Sequence, residues 1–171
     1  MPDYLIQPFD SSKHRREEFA CESPELTTFL QTRARKEMAA GISACFVLVP
    51  KANPGCIAGF YTLSAAEIVT AHLPPDLAGK LPRYPAMPAT LLGRLARALS
   101  LRGQGIGDRL MFDALARAWK TRLEVGSIAV ITDPKDVTAT AFYKSFNFLP
   151  LQGRRLFLPM GEIGKLMSSR G

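Results

Sequence analysis

Apolar positions along this chain switch between an alternating or unbroken rhythm and a three-to-four-residue rhythm, and each switch marks a change of element. Tyr4–Phe9 (YLIQPF) reads as a short strand, with Asp10 and Ser11 as N-cap candidates for a polar helix reaching about Ala20. Ser23 caps a second helix and Pro24 suits its first position. Leu26, Phe29, Leu30, Ala34 and Met38 form its apolar stripe, which ends before Gly41. Ser43–Val49 and Cys56–Leu63 are rich in β-branched and aromatic residues and flank the turn chemistry of PKANPG, which predicts a hairpin. Pro74, Pro75, Pro82, Pro85 and Pro88 interrupt the next stretch. Ala65 to Pro88 is therefore expected to hold a short helix near Asp76 and an extended loop.

The second half is more regular. Ala89–Ser100 (ATLLGRLARALS) is a long, largely apolar strand carrying Arg94 and Arg97, which a regular strand would put on opposite faces. A glycine-rich turn follows, then a helix to about Thr121 whose buried stripe holds Ile106, Leu110, Ala114 and Ala118, with Met111, Leu115 and Trp119 beside them. Ser127–Asp133 (SIAVITD) is short, unbroken and apolar, like a central parallel strand. A helix is expected from about Asp136 through DVTATAFYKSF, and a last strand at RRLFLP. Two helices, a hairpin, then strand, helix, strand, helix, strand predict one α/β (α+β) domain over residues 1–171, built around a mixed sheet.

Composition narrows the chemistry. The chain sets 22 Lys and Arg against 15 Asp and Glu, a charge of +7 that favours polyanionic partners such as nucleic acid or a phosphorylated cofactor. The basic residues are scattered without a block of like charge, so a merely soluble basic surface stays open as the alternative. Cys21, Cys45 and Cys56 lack a CxxC pair and sit in or near apolar stretches, as buried thiols of a reducing compartment do. His14 and His72 lie far apart, so no metal cluster and no Ser-His-Asp arrangement is expected. Neither a signal-peptide core nor a run of ~20 apolar residues is present, and a soluble, cytoplasmic protein is expected.

The glycine turn, SLRGQGIGDRL from Ser100 to Leu110, carries the main functional signal. A strand leading through glycines into a helix start leaves several N–H groups aimed at one spot, where the helix dipole adds partial positive charge. Such a place binds phosphate. No Lys-Ser or Lys-Thr follows, which excludes a Walker loop, and Asp108 stands where a dinucleotide fingerprint needs its third glycine. Arg102-Gly103-Gln104-Gly105-Ile106-Gly107 fits [QR]xxGx[GA] without a gap. A glycine turn kept only for tight helix–strand packing is the alternative at this level.

Here the chain resembles the GNAT superfamily of N-acetyltransferases, whose pyrophosphate loop for acyl-coenzyme A has this form. Ala89–Ser100 matches the family's fourth strand, and AFYKSFNF is similar to its FYxxxGF, with Tyr143 in the tyrosine place and Asn147 where glycine is usual. One branch is closer still: the acetylating toxins of bacterial toxin–antitoxin modules, which modify the amino group of aminoacyl-tRNA. CESPELTTFLQTRA, IAGFYTLSAAEI, PATLLGRLA and RLFLPMGEIGKL resemble segments of that branch, so the likeness spans nearly the whole chain.

The resemblance implies a mostly antiparallel sheet of six or seven strands, splayed at a central pair and flanked by helices. It implies acetyl-CoA as cofactor, with the backbone of Leu95, Ala96 and Arg97 facing the pantetheine arm. Arg102, Gly103, Gln104, Gly105, Ile106, Gly107 and Asp108 would form the pyrophosphate loop. Tyr143 would be the general acid for the departing thiolate, since a phenol of pKa ~10 keeps its proton at neutral pH. By helical spacing alone, Phe142, Tyr143 and Phe146 read as core aromatics that cover the sheet, and only the motif context favours a role for Tyr143.

Asp136 stands at a cofactor-proximal family position or is an acidic helix cap, and Asp133 and Glu67 are general-base candidates without geometry. Arg94 and Arg97 are candidates for the substrate's phosphates, because a charge in an apolar strand implies a partner; Arg83, Arg33, Arg35, Lys36, Arg154 and Arg155 are further cations. Aminoacyl-tRNA is the implied substrate and a ribbon-helix-helix antitoxin the implied partner, with room for a homodimer. Acetylation of a small amine or protein N-terminus, and a non-catalytic acyl-CoA- or nucleic-acid-binding module, remain the alternative readings.

Overall fold

The computed structural model describes residues 3–170. Its strands are β1 (Tyr4–Pro8), β2 (Ala44–Pro50), β3 (Gly59–Val69), β4 (Ala86–Arg97), β5 (Ala129–Thr132), β6 (Leu149–Pro150) and β7 (Leu156–Pro159). Its α-helices are α1 (Pro24–Thr32), α2 (Ala34–Ala39), α3 (Pro75–Ala78), α4 (Ile106–Thr121), α5 (Val137–Lys144) and α6 (Met160–Arg170). The strands form one sheet in the order β1-β2-β3-β4-β5-β7-β6. Pairing is antiparallel at β1/β2, β2/β3, β5/β7 and β6/β7, and parallel at β4/β5. The chain divides into two compact units, Met1–Ser64 with Gly93–Ala114 and Ala65–Leu92 with Leu115–Gly171. Each passage between them falls inside a regular element: β3, β4 or α4.

In the first unit, Phe29, Leu30 and Ala34 of the helical layer pack with Val47, Val49, Phe60 and Ala96 of the sheet. Phe60 meets Phe19 edge-on at 5.6 Å and Phe29 stacked at 6.0 Å. Each fully buried side chain of this size contributes about 1.5–3 kcal/mol, so this cluster anchors the helices. Ser23 Oγ accepts the Leu26 N–H at 3.2 Å and Pro24 opens α1, as expected.

Two expectations are corrected in this unit. The single helix to Met38 is two helices, broken at Arg33, whose φ of −121° leaves the helical range. The polar helix after Asp10 is only a 3-10 turn at Arg16–Glu18. Asp10 Oδ1 accepts both the N–H and the hydroxyl of Ser12, at 2.9 and 2.7 Å, closing a local turn instead of capping a helix.

In the second unit, Ile68, Leu73, Ala89, Ala129, Ile131 and Phe157 form the core. The proline-rich stretch is more regular than expected, since β3 runs on to Val69 and β4 begins at Ala86 and contains Pro88. Pro85 and Pro88 lack donors but serve as acceptors, taking the N–H groups of Thr70 and Ile128 at 2.9 Å each. The short helix near Asp76 is α3. Helix α6 had no counterpart in the sequence reading, because Gly161 and Gly164 weaken its pattern. Gly164 answers to packing: a Cβ there would lie 2.6 Å from the Trp119 ring.

The parallel ladder of β4 and β5 is short, pairing Thr90 with Val130 and Leu91 with Ile131. At the next position the Leu92 carbonyl accepts the Thr132 hydroxyl at 3.0 Å. A side chain has replaced the main chain as partner, which is how a ladder ends without orphaning a buried carbonyl.

Candidate active site

Beyond β4 the chain makes a 3-10 turn at Leu99–Leu101 and enters the glycine turn. Gly103 and Gly105 have φ of +79° and +74°, a left-handed backbone that side-chain-bearing residues rarely adopt. A Cβ built on either meets no protein atom within 4 Å, and Arg102 to Gly105 are exposed. The turn is open ground rather than a packing device. The Gln104 N–H bonds back to the Leu101 carbonyl at 3.3 Å, and the helical ladder opens with the Arg109 N–H on the Gly105 carbonyl at 3.2 Å. The amides ahead of Arg109 belong to the helix's first turn, which has no intrahelical acceptors.

Ile106, 1% exposed, pins the head of α4, and Gly59 on β3 makes its approach possible: a Cβ there would lie 2.8 Å from Leu110 and 2.9 Å from the Ala96 carbonyl. Ala96 is buried, Leu95 half-buried, Gly107 partly covered and Asp108 exposed.

The strand arginines find partners inside the first unit. Arg94 lies over the Phe29 ring, 3.7 Å from its centroid, and 3.8 Å from Glu37. Burial pulls its guanidinium below the ordinary arginine value, with Glu37 opposing. Arg97 Nη2 donates to Glu22 at 2.9 Å, and Arg102 Nε stands 3.9 Å from the same carboxylate. Arg97 Nη1 is buried without a hydrogen-bond partner, a donor still lacking an acceptor. The partner that an apolar strand demands is thus internal for Arg94 and half-supplied for Arg97. Glu22 was not anticipated; its acidic place just before the Ser23 cap is the one signal the sequence offers.

In the second unit, Asp136 caps α5, accepting the Ala139 N–H at 2.7 Å, which favours the cap reading over a cofactor role. Near the helix's far end, Tyr143 is 7% exposed, its ring edge-on to Phe142 and Phe148. Burial pushes its phenol above the ordinary tyrosine value, with the Thr132 side chain opposing, so it holds its proton at neutral pH. Asn147 follows with φ of 72°, the left-handed conformation usual for glycine.

Asp133 is held by Arg155 through two bonds of 2.8 and 2.9 Å, which keep its carboxyl below the ordinary aspartate value and make it a poor base. Asp133 and Glu67 line one cavity of about 250 Å³ with His72 and Arg154. Sequence reasoning did not single out His72 for this place, nor Thr132, whose hydroxyl in an apolar strand was the available signal.

No family model matches the chain. A curated relative, the tRNA-acetylating toxin of Mycobacterium tuberculosis, is 31% identical over 130 residues, covering 76% of this chain and 75% of that protein. The chain belongs to the GNAT-fold tRNA-acetylating toxins. A solved structure of AtaT complexed with acetyl-methionyl-tRNAfMet superposes with a TM-score of 0.89 at 30% identity, over 96% of this chain and 99% of that one. A tyrosine-to-phenylalanine mutant of AtaT, bound to the C-terminus of the antitoxin AtaR and acetyl-CoA, gives 0.82 at 26% identity over 97% and 99%. The mixed, mostly antiparallel sheet of this GNAT toxin is as expected. Among the described residues no group of His, Cys, Asp and Glu could hold a metal, and no helix is long and apolar enough to cross a membrane.

Proposed function

We propose that this chain is an acetyl-CoA-dependent N-acetyltransferase, one domain over residues 1–171, that acetylates the α-amino group of aminoacyl-tRNA in the cytoplasm and thereby blocks translation. A ribbon-helix-helix antitoxin restrains it. The observation that carries this reading is the open glycine turn at the head of α4, with its left-handed Gly103 and Gly105 and no protein atom above them. A relative named as a tRNA-acetylating toxin, and the AtaT structures with acetyl-methionyl-tRNA, acetyl-CoA and antitoxin, support the substrate, cofactor and partner classes.

The residues present suit acetyl-CoA. The first-turn amides of α4 offer donors to a diphosphate, the helix dipole adds to them, and Arg102 brings a cation beside the loop. Arg97 Nη1 adds a buried donor in need of an acceptor. Acetyl-CoA supplies an activated thioester, so the chain needs no nucleophile of its own. The backbone of Leu95 to Arg97 would face the acyl arm, and Tyr143 would supply the proton that a departing thiolate needs. Ester attachment of the amino acid lowers the pKa of its ammonium and eases its deprotonation, which suits a site whose Asp133 is tied to Arg155. The test is transfer of radiolabel from acetyl-CoA. Label entering charged but not uncharged tRNA is expected, and label entering only small amines or peptides contradicts the reading.

A further inference from the structure

Tyr84 is 64% exposed, whereas Tyr4, Tyr61 and Tyr143 are half-buried or buried. Among the described residues its ring has no aromatic or cationic partner and its hydroxyl no hydrogen bond. The backbone beneath it is nonetheless fixed. Its N–H closes a three-residue turn on the Pro82 carbonyl at 2.9 Å, its carbonyl accepts the Thr70 hydroxyl at 2.6 Å, and the Pro85 carbonyl accepts the Thr70 N–H at 2.9 Å. Pro82 and Pro85 fix φ close on either side, so little backbone freedom is left to lose when a partner settles on the ring. Arg83 stands at the apex of that turn, and both it and Lys80 are exposed. No Asp or Glu occurs between Asp76 and Asp108. Thr70, which clasps this loop, lies between Val69 and His72, and both line the cavity of about 250 Å³ that also holds Arg154 and Arg155. Arg155 is engaged by Asp133, while Arg154 is exposed. An aromatic face and a recess bearing cations thus meet along one short segment of the second unit.

We infer that Tyr84 is a stacking platform for an unpaired base of the RNA substrate, with Arg83 and Arg154 as the cations that meet the neighbouring phosphates. This role rests on the reading of aminoacyl-tRNA as the substrate. A flat, exposed ring beside cations matches the chemistry of single-stranded RNA, whose bases take the ring face and whose phosphates take the charges. A base-paired stem keeps its bases stacked on one another and offers no free face. The unpaired 3′ end that carries the amino acid is therefore the segment that fits. An acidic peptide would meet the cations but leave the ring face unused.

The test measures binding of two RNA probes to the full chain carrying Tyr84→Ala, Tyr84→Leu or Tyr84→Phe: a hairpin ending in an unpaired 3′ overhang, and the same hairpin cut blunt. Because the ring is exposed, all three variants are expected to melt with the wild type. Tyr84→Ala and Tyr84→Leu are expected to weaken binding of the overhang hairpin about 10- to 100-fold, the loss of one stacked base. Tyr84→Phe, which keeps the ring, is expected to stay within a few-fold, and none of the three should change binding of the blunt hairpin. In steady state, KM for charged tRNA is expected to rise with Tyr84→Ala while kcat and KM for acetyl-CoA hold. Wild-type affinity of Tyr84→Ala for the overhang hairpin would overturn this role, as would an equal loss on the blunt one or full affinity in Tyr84→Leu. Loss of antitoxin binding with RNA binding intact would also overturn it, assigning the ring to a peptide. These outcomes leave the substrate reading standing so long as label from acetyl-CoA enters charged tRNA; failure of that transfer in the wild type would overturn both.

Discussion

The glycine turn and the Tyr143 cluster solve opposite problems. At the turn nearly everything is exposed and the proposed working groups are main-chain amides, held by two left-handed glycines and the buried anchor Ile106. Tyr143 itself is covered, its ring held between the edges of Phe142 and Phe148, and the proposed working group is one side-chain hydroxyl. Binding an anion of fixed shape suits preorganised amides, whereas moving a proton calls for a group whose acidity the surroundings can tune. Side-chain removal should therefore silence the second region and leave binding intact, while side-chain addition should silence the first.

The sharpest test of that contrast is a pair of substitutions. Tyr143→Phe is expected to lower kcat about 10²- to 10⁴-fold with the affinity for acetyl-CoA unchanged, measured by initial rates beside calorimetry. Gly105→Val is expected to weaken acetyl-CoA binding about 10- to 100-fold, since a β-branched residue disfavours φ of +74°. A Gly105→Val protein that binds normally would show that the amides are not the grip.

A smaller effect separates the two strand arginines. Arg97→Gln is expected to raise KM for acetyl-CoA several-fold, because Nη1 is the donor without an acceptor. Arg94→Gln is expected to leave KM alone and to lower the melting temperature, as it gives up its place over Phe29. Equal effects on KM would erase the distinction.

The smallest expected effect concerns His14, far from both regions in chain and role. Its Nδ1 accepts the Asp10 N–H at 3.0 Å, and burial lowers its pKa below the ordinary 6.5. The unfolded chain therefore takes up the proton more readily than the native one. The stability this contributes is full above pH 6.5 and is lost as pH falls below it towards the native value. His14→Asn should flatten the drop in melting temperature between about pH 7 and pH 5. An unchanged drop would assign it to other groups.

What the sequence disclosed follows the range of the interactions involved. The strand, glycine turn and α4, the Asp136 cap and the left-handed Asn147 were legible because each is decided within a few residues. The break at Arg33 and the course of β3 and β4 into the proline-rich stretch were not. The course of the strands depends on partners distant in sequence, such as the Pro88 carbonyl taken by Ile128. Of the proposed site, the loop glycines and Tyr143 are nameable from pattern. Glu22 beside Arg97, Arg155 on Asp133 and Thr132 on Leu92 are not, since each joins segments that only folding brings together.

The central claim is that main-chain amides at the head of α4 grip the diphosphate of acetyl-CoA. Titrating ¹⁵N-labelled protein with acetyl-CoA and following the amide resonances tests it directly. The largest shifts are expected at Gly103, Gly105, Ile106, Gly107 and Asp108, saturating with the calorimetric binding curve. Saturable binding that leaves those five amides unmoved would contradict it.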